Sequence, residues 1–216
     1  MFKAFLFLLC TTVPAVAAQT IPEITPTEEQ QRLIDKIENY FNNIRTIKSK
    51  FYQISNNGGS AEGDFYVMKP NKMRLEYKPP HPVEVVADGY YLIFHDKKLE
   101  QVTYLDLNEN PASMILKENF SFKTDDIAIT DMTAGAGLIT VTVIKKSQPT
   151  AGKITLIFKD SPLSLKQWQV VDAQQITTSV TLDNMEINTS LDNQLFKFKD
   201  PRKKRRPGDI PDRRMK

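Results

Sequence analysis

Between residues 48 and 105 the chain divides into short runs in which apolar and polar side chains alternate, each closed by a Pro or Gly signal. The cleanest is Lys72 to Lys78, where Met73, Leu75 and Tyr77 take one face and Lys72, Arg74, Glu76 and Lys78 the other. A period of two with one dry and one wet face marks an antiparallel strand. Pro70 and the cluster Pro79-Pro80-His81-Pro82 cannot donate to a ladder, so they belong in connections. Asp88-Gly89 separates two apolar runs and is a hairpin signal.

The pattern predicts strands near 48–55, 61–68, 72–78, 83–88, 90–95 and 98–105, then near 127–132, 138–146, 153–159, 163–171, 175–183 and a further piece at 185–191. About eleven consecutive strands at hairpin spacing argue for one long antiparallel sheet, which must curl to bury its apolar face. Ahead of it, Thr27-Glu28-Glu29-Gln30 reads as a capping box. Leu33, Ile34, Ile37, Tyr40, Phe41, Ile44 and Ile47 then form one stripe on an amphipathic helix of about five turns. A short helix is expected after Asn110-Pro111, carrying Met114, Ile115 and Leu116. The expected fold is mainly β, a curled sheet covered by the long N-terminal helix and the short internal one. Phe65, Val67, Met73, Leu75, Tyr77, Val83, Val85 and Ile93 are expected on the face opposite the helix stripe. Periodicity alone leaves open whether that face packs as a solid core or lines a cavity. Met73 and Met114 are unbranched thioethers that conform to variable apolar guests.

Residues 1–18 read as an export signal: Lys3 is the basic n-region, Ala4 to Leu9 the apolar run, and Ala15-Val16-Ala17 a small-x-small cleavage site. Leu9 before Cys10 is a poor lipobox, so a soluble mature chain without cysteine is expected, which excludes thiol catalysis and cysteine-ligated zinc. Residues 19–201 form one domain, and 202–216 a basic tail with eight Lys and Arg against Asp209 and Asp212. Removing that tail and Lys3 from the formal +3 leaves −4, so the body is mildly acidic and no nucleic-acid partner is expected. The tail itself suits a weak contact with anionic membrane.

Catalytic motifs are missing from the sequence: there is no G-x-S-x-G, H-E-x-x-H or Walker loop, and only His81 and His95 among histidines. His95 with Asp96 is the best acid–base candidate, and an exposed turn pair is the plainer reading. No catalytic residue, metal or cofactor is expected.

The order G-x-F-x-x-x-K-P, M-R-x-x-Y, V-x-D-G and L-x-x-x-D across residues 63–96 resembles the periplasmic outer-membrane lipoprotein carrier family, LolA. So do Ile44-Arg45-Thr46-Ile47 followed by Phe51-x-Gln53, Leu99-Glu100-Gln101-Val102-Thr103, Asn110-Pro111, Val171-Asp172, Thr177-x-x-Val180-x-Leu182 and Phe196-x-Phe198-x-x-Pro201. The resemblance implies an incomplete barrel with helices as a lid over a hydrophobic cavity. It implies a monomer that receives acylated lipoproteins from an inner-membrane ATP-driven extraction complex and passes them to an outer-membrane receptor. On this footing the acyl chains would meet Met73, Leu75, Tyr77, Val85, Ile93 and Met114, beneath a lid helix carrying Leu33, Ile37, Phe41 and Ile44. Lys69 stands where the family often has an arginine tying sheet to lid, Leu75 where an aromatic is common, and Gln174 near a usual glycine. A lysine lacks the planar fork of arginine, so a bidentate latch is not available. A same-fold periplasmic lipoprotein-binding sensor and the outer-membrane receptor of the same pathway are the alternatives.

Overall fold

A computed structural model describes residues 23–107 and 111–202. The export segment with Cys10, residues 108–110 and the tail beyond Arg202 lie outside the described residues. Helix α1 spans Glu28–Asn42, and its capping box forms as expected: Thr27 accepts from the Gln30 N–H while the Gln30 side chain accepts from the Thr27 N–H. The helix is shorter than the five turns its stripe suggested, because Asn43 caps it with its N–H on the Asn39 carbonyl. Ile44 is buried but lies in the connection beyond the helix, and Ile47 already belongs to a strand. Steps of three from Phe41 to Ile44 to Ile47 fit both a helical stripe and an exit into an inward-facing strand, so period alone does not mark the end.

Eleven strands follow: β1 (Thr46–Ser55), β2 (Ser60–Met68), β3 (Lys72–Tyr77), β4 (Val83–Asp88), β5 (Tyr91–Asp96), β6 (Gln101–Asp106), β7 (Ile127–Gly135), β8 (Leu138–Lys145), β9 (Gly152–Asp160), β10 (Leu163–Asp172) and β11 (Thr177–Ile187). The piece expected at 185–191 is the end of β11 and not a separate strand. All form one open antiparallel sheet ordered β6-β5-β4-β3-β2-β1-β11-β10-β9-β8-β7. The chain meanders to one edge, crosses over the sheet through a 3-10 helix at Pro111–Leu116, and meanders back until β11 pairs with β1. Register shifts at 48–50, 129–131 and 165–167 add local twist to this curl. The curl brings Trp168 of β10 onto Phe65 of β2, with ring centroids 5.3 Å apart.

Helix α1 lies on the concave side of β7–β10, where Phe41 and Tyr40 meet Phe158 edge to face. The 3-10 helix closes one end of β3–β5, with the Asn71 N–H donating to the Leu116 carbonyl. Residues 192–202 form a strap across the convex side of β3–β6, through a second 3-10 helix at Asn193–Phe196.

The face assignment needs one correction. The ladder pairs Leu75 with Val85 and Val85 with Phe94, but Val86 with Ile93 and Ile93 with Tyr104. Directly opposite residues share a face, so Ile93 is buried on the convex side beneath the strap. The two-residue connection between Asp88 and Tyr91 pairs odd-numbered residues of β4 with even-numbered residues of β5, which inverts the parity on which Ile93 was chosen.

Candidate functional site

Four of the expected cavity residues come together on the concave sheet. Met73, Leu75, Tyr77 and Val85 are half-buried and share one face of β3 and β4, opposite Val67, Phe65 and Gly63 of β2. Tyr77 packs edge to face on Phe51 at 5.0 Å and donates to the Gln53 side chain at 2.7 Å. Burial raises its pKa, so the phenol remains a donor through the neutral range. Gly63, across from Tyr77, makes room for that pair: a Cβ there would stand 2.1 Å from the Glu76 carbonyl oxygen and 2.6 Å from the Phe51 ring. The apolar row continues from Val85 to Phe94, which is 42% exposed, and ends at the β6 edge. Met114 is buried at the far end and belongs to the same apolar cluster as Met73.

The cover is held by a few polar ties. Ile37 and Phe41 of α1 are buried against the sheet and Leu33 is half-buried. Lys69, itself buried, donates from Nζ to the Phe41 carbonyl at 2.7 Å, at the end of α1 where that carbonyl otherwise accepts from the Ile44 N–H of the exit turn, and lies over the Phe41 ring. Burial first, and the nearby Arg45 charge second, lower its pKa to about 8. The loop after the 3-10 helix supplies further ties. Asn42 exchanges two hydrogen bonds with the Phe120 backbone, and a Glu38 carboxylate oxygen accepts from the Ser121 hydroxyl and the Phe122 N–H. Phe120 packs at a tilt against Phe41 at 4.6 Å and edge to face against Phe122 at 4.8 Å. Phe120 and Phe122 did not figure in the sequence reading; the alternation Phe-Ser-Phe in an otherwise polar loop was the available signal.

The interior between α1 and the sheet is filled by side chains, with Phe41, Phe51, Phe65, Phe120 and Phe158 fully buried. Of the two alternatives left by periodicity, the covered part takes the packed form. The row Leu75, Tyr77, Val85 and Phe94 is the part that is only half covered.

His95 and Asp96 do not act together. Strand alternation sends them to opposite faces, and His95 is buried with Nδ1 2.9 Å from Glu84 Oε1. It is not an exposed turn residue either, since Phe198 of the strap lies against its ring at 5.5 Å. Asp96 caps the next turn by accepting from the Lys98 and Leu99 N–H groups. Glu84 also pairs with Arg74 and Lys97, and together with the His95 hydrogen bond these cations outweigh burial and lower its pKa. Gln174 lies in a tight turn whose left-handed position is Gln175, and the Asp172 carboxylate supports it by accepting from the 174 and 176 N–H groups. Among the described residues no three His, Cys, Asp or Glu side chains gather as a metal site, and no helix is long and apolar enough to cross a membrane.

Comparison with known proteins agrees with this geometry. The chain is 27% identical over 204 residues to an outer-membrane lipoprotein carrier protein of Dechloromonas aromatica, covering 88% of this chain and 94% of that one. It is 27% identical over 205 residues to the protein of that name in Legionella pneumophila (strain Paris), covering 94% and 96%. An uncharacterized protein of Rickettsia prowazekii is 23% identical over 197 residues, covering 91% and 87%. Among solved structures, a DUF1329 family protein from Desulfovibrio piger shares the fold at a TM-score of 0.50 and 8% identity, covering 82% of this chain and 98% of that one. The family described as outer membrane lipoprotein carrier protein LolA matches residues 42–199, the whole sheet with the 3-10 helices at Pro111–Leu116 and Asn193–Phe196, and the chain belongs to that family.

Proposed function

We propose that this chain carries lipoproteins through the periplasm by holding their acyl chains against the concave sheet. On this reading it takes them from an inner-membrane ATP-driven extraction complex and delivers them to an outer-membrane receptor. Met73, Leu75, Tyr77, Val85 and Met114 meet the acyl chains; Ile93, on the other face, does not. The observation that carries the reading is the half-covered apolar row continuing directly into a core whose cover is tied down by a few hydrogen bonds. An acyl chain can start on the row from Phe94 to Leu75 and extend inward as α1 and the 117–126 loop lift. Each methylene removed from water contributes about 0.8 kcal/mol, so a single long chain offers roughly 10 kcal/mol to set against the opening of the packed interior. Lys69 is the tie between sheet and cover in place of the family's arginine, a single point contact on the end of α1.

Leu75→Glu places a charge in the middle of the row and abolishes binding of a fluorescent fatty-acyl probe. Val85→Asp does the same one strand away. Both are compared at matched circular dichroism and melting temperature, which separates loss of the site from loss of the fold. Wild-type affinity in both folded variants would refute the site.

A further inference from the structure

The two edges of the sheet are treated differently. At the β7 edge the Ile129 carbonyl accepts from the Ile24 N–H and the Met132 carbonyl from the Gln30 side chain, so the leader and α1 lie over it. At the β6 edge, among the described residues, the Val102 carbonyl accepts a guanidinium bond from Arg202 at 2.9 Å. Uncovered edges in soluble proteins are usually blunted by charge or bulges. This one is apolar instead: Tyr90 (80% exposed), Tyr91, Phe94, Leu99 (67% exposed), Tyr104 and Leu105 are all exposed within residues 90–105.

Their placement is unusual. Phe94 and Leu105 point to the concave side, Tyr91 and Tyr104 to the convex side, and Tyr90 and Leu99 sit at opposite ends of β5. A protein partner docking on a flat patch would cover one face, whereas this hairpin is apolar on both faces and at both turns. Tyrosines mixed with aliphatics suit the headgroup boundary of a bilayer, where one end of the ring is dry and the other wet.

The hairpin itself is acidic on balance, with Lys97 and Lys98 against Asp88, Asp96, Glu100 and Asp106 and with Lys97 paired to Glu84, so attraction to an anionic surface falls to the sequence that follows Arg202. Arg202 lies over the Tyr104 ring and is tied to Asp200, which also accepts from Tyr104. The sequence beyond Arg202 therefore departs from this hairpin, and it carries seven basic residues against Asp209 and Asp212.

We propose that the β5–β6 hairpin is a docking surface for anionic phospholipid bilayer, with Tyr90, Tyr91, Leu99 and Leu105 entering the headgroup region and the basic sequence after Arg202 supplying long-range attraction. On the carrier reading, on which this one consequence rests, docking turns the open end of the apolar row toward the bilayer.

Sedimentation with vesicles tests it, using phosphatidylglycerol mixed into phosphatidylcholine and, separately, phosphatidylcholine alone. The protein as isolated from cells is compared with Tyr90→Ser/Leu99→Ser, which alters two exposed side chains, and with a chain ending at Arg202. The hairpin variant should lose about tenfold in partition at low and at high salt, the scale expected for removing interfacial apolar groups. The truncated chain should lose binding to the anionic vesicles at low salt and match the full chain at high salt, where charge is screened. Equal partition of the hairpin variant and wild type overturns the proposal. So does a hairpin-dependent dimer seen by light scattering with vesicle binding unchanged, which would assign the edge to a second copy. The acyl-probe assay reports separately, since neither variant alters the row; its failure would sink the carrier reading and leave the vesicle result standing.

Discussion

The two halves of the sheet are covered on opposite sides. In the half made of β7–β10, α1 lies on the concave face, with Ile139, Val141, Leu156 and Phe158 buried beneath it, while Thr140, Thr155 and Lys159 occupy the outer positions. In the half made of β3–β6 the strap lies on the convex face over Val86, Ile93 and Val102, while Leu75, Val85 and Phe94 stay partly open on the concave side. One half therefore behaves as a conventional core. The other keeps its outer face dry and leaves its inner face half covered.

That difference should appear first as stability. Phe41 touches Phe120 and Phe158 in the closed half, so Phe41→Ala removes a fully buried ring at a cost of about 3–5 kcal/mol. Leu75 is half-buried in the open half, and Leu75→Ala should cost only about 1–2 kcal/mol because part of its surface already meets water. Urea unfolding of both variants checks the pair. Equal losses would mean that the open half is as tightly finished as the closed one.

Much of this arrangement was legible in the sequence. Strand count, most strand limits to within a few residues and the capping box follow from local alternation, Pro and Gly punctuation and side-chain reach, all of which act over a few residues. Two kinds of information were not local. Ile93 was placed on the wrong face because the parity of a hairpin depends on the length of its turn, a register fact that alternation within each strand does not contain. His95 and Glu84 are eleven positions apart and meet only across a strand pair, under a strap whose Phe198 lies more than a hundred residues further along the chain. The cover was half legible: the stripe of α1 was visible, but the ties from Glu38 and Asn42 to the 120–122 backbone need the fold to bring them together. Lys69 was singled out through the family resemblance, and nothing in its neighbours along the chain announces a partner on α1.

The strap offers a middle-sized test of the same comparison. Glu84 has its pKa lowered from 4.5, so its pairing with His95, Arg74 and Lys97 contributes stability above that pH, lost as pH falls through the lower folded value. Acid should therefore loosen the convex cover of the open half before it disturbs α1. Hydrogen exchange across residues 193–202 should accelerate below about pH 4.5, after correction for intrinsic rates, while the α1 amides stay protected. Glu84→Gln should shrink that acid step around residues 193–198 and leave the part that Asp200 carries through Arg202 and Tyr104. Loss of protection in both covers at one pH would show that the halves unfold as a unit.

The smallest effect concerns the tie itself. Lys69 has its pKa lowered from 10.5 to about 8 where α1 is closed, and lifting the helix would return it toward the ordinary value. The closed state then binds fewer protons than the open one between those limits, so closure strengthens as pH rises through that window and the buried ammonium works against closure below it. A point-charge latch in this position favours opening near neutral pH, in keeping with the proposed lifting of the cover to admit an acyl chain. Exchange of the α1 amides, corrected for intrinsic rates, should slow as pH goes from about 8 toward 10. Lys69→Arg stays charged throughout and should show no such slowing, and Lys69→Met should be flat as well, from a different baseline. If the wild type and Lys69→Met share one pH profile, the proton on Lys69 has no bearing on closure, and the ties through Asn42 and Glu38 set it.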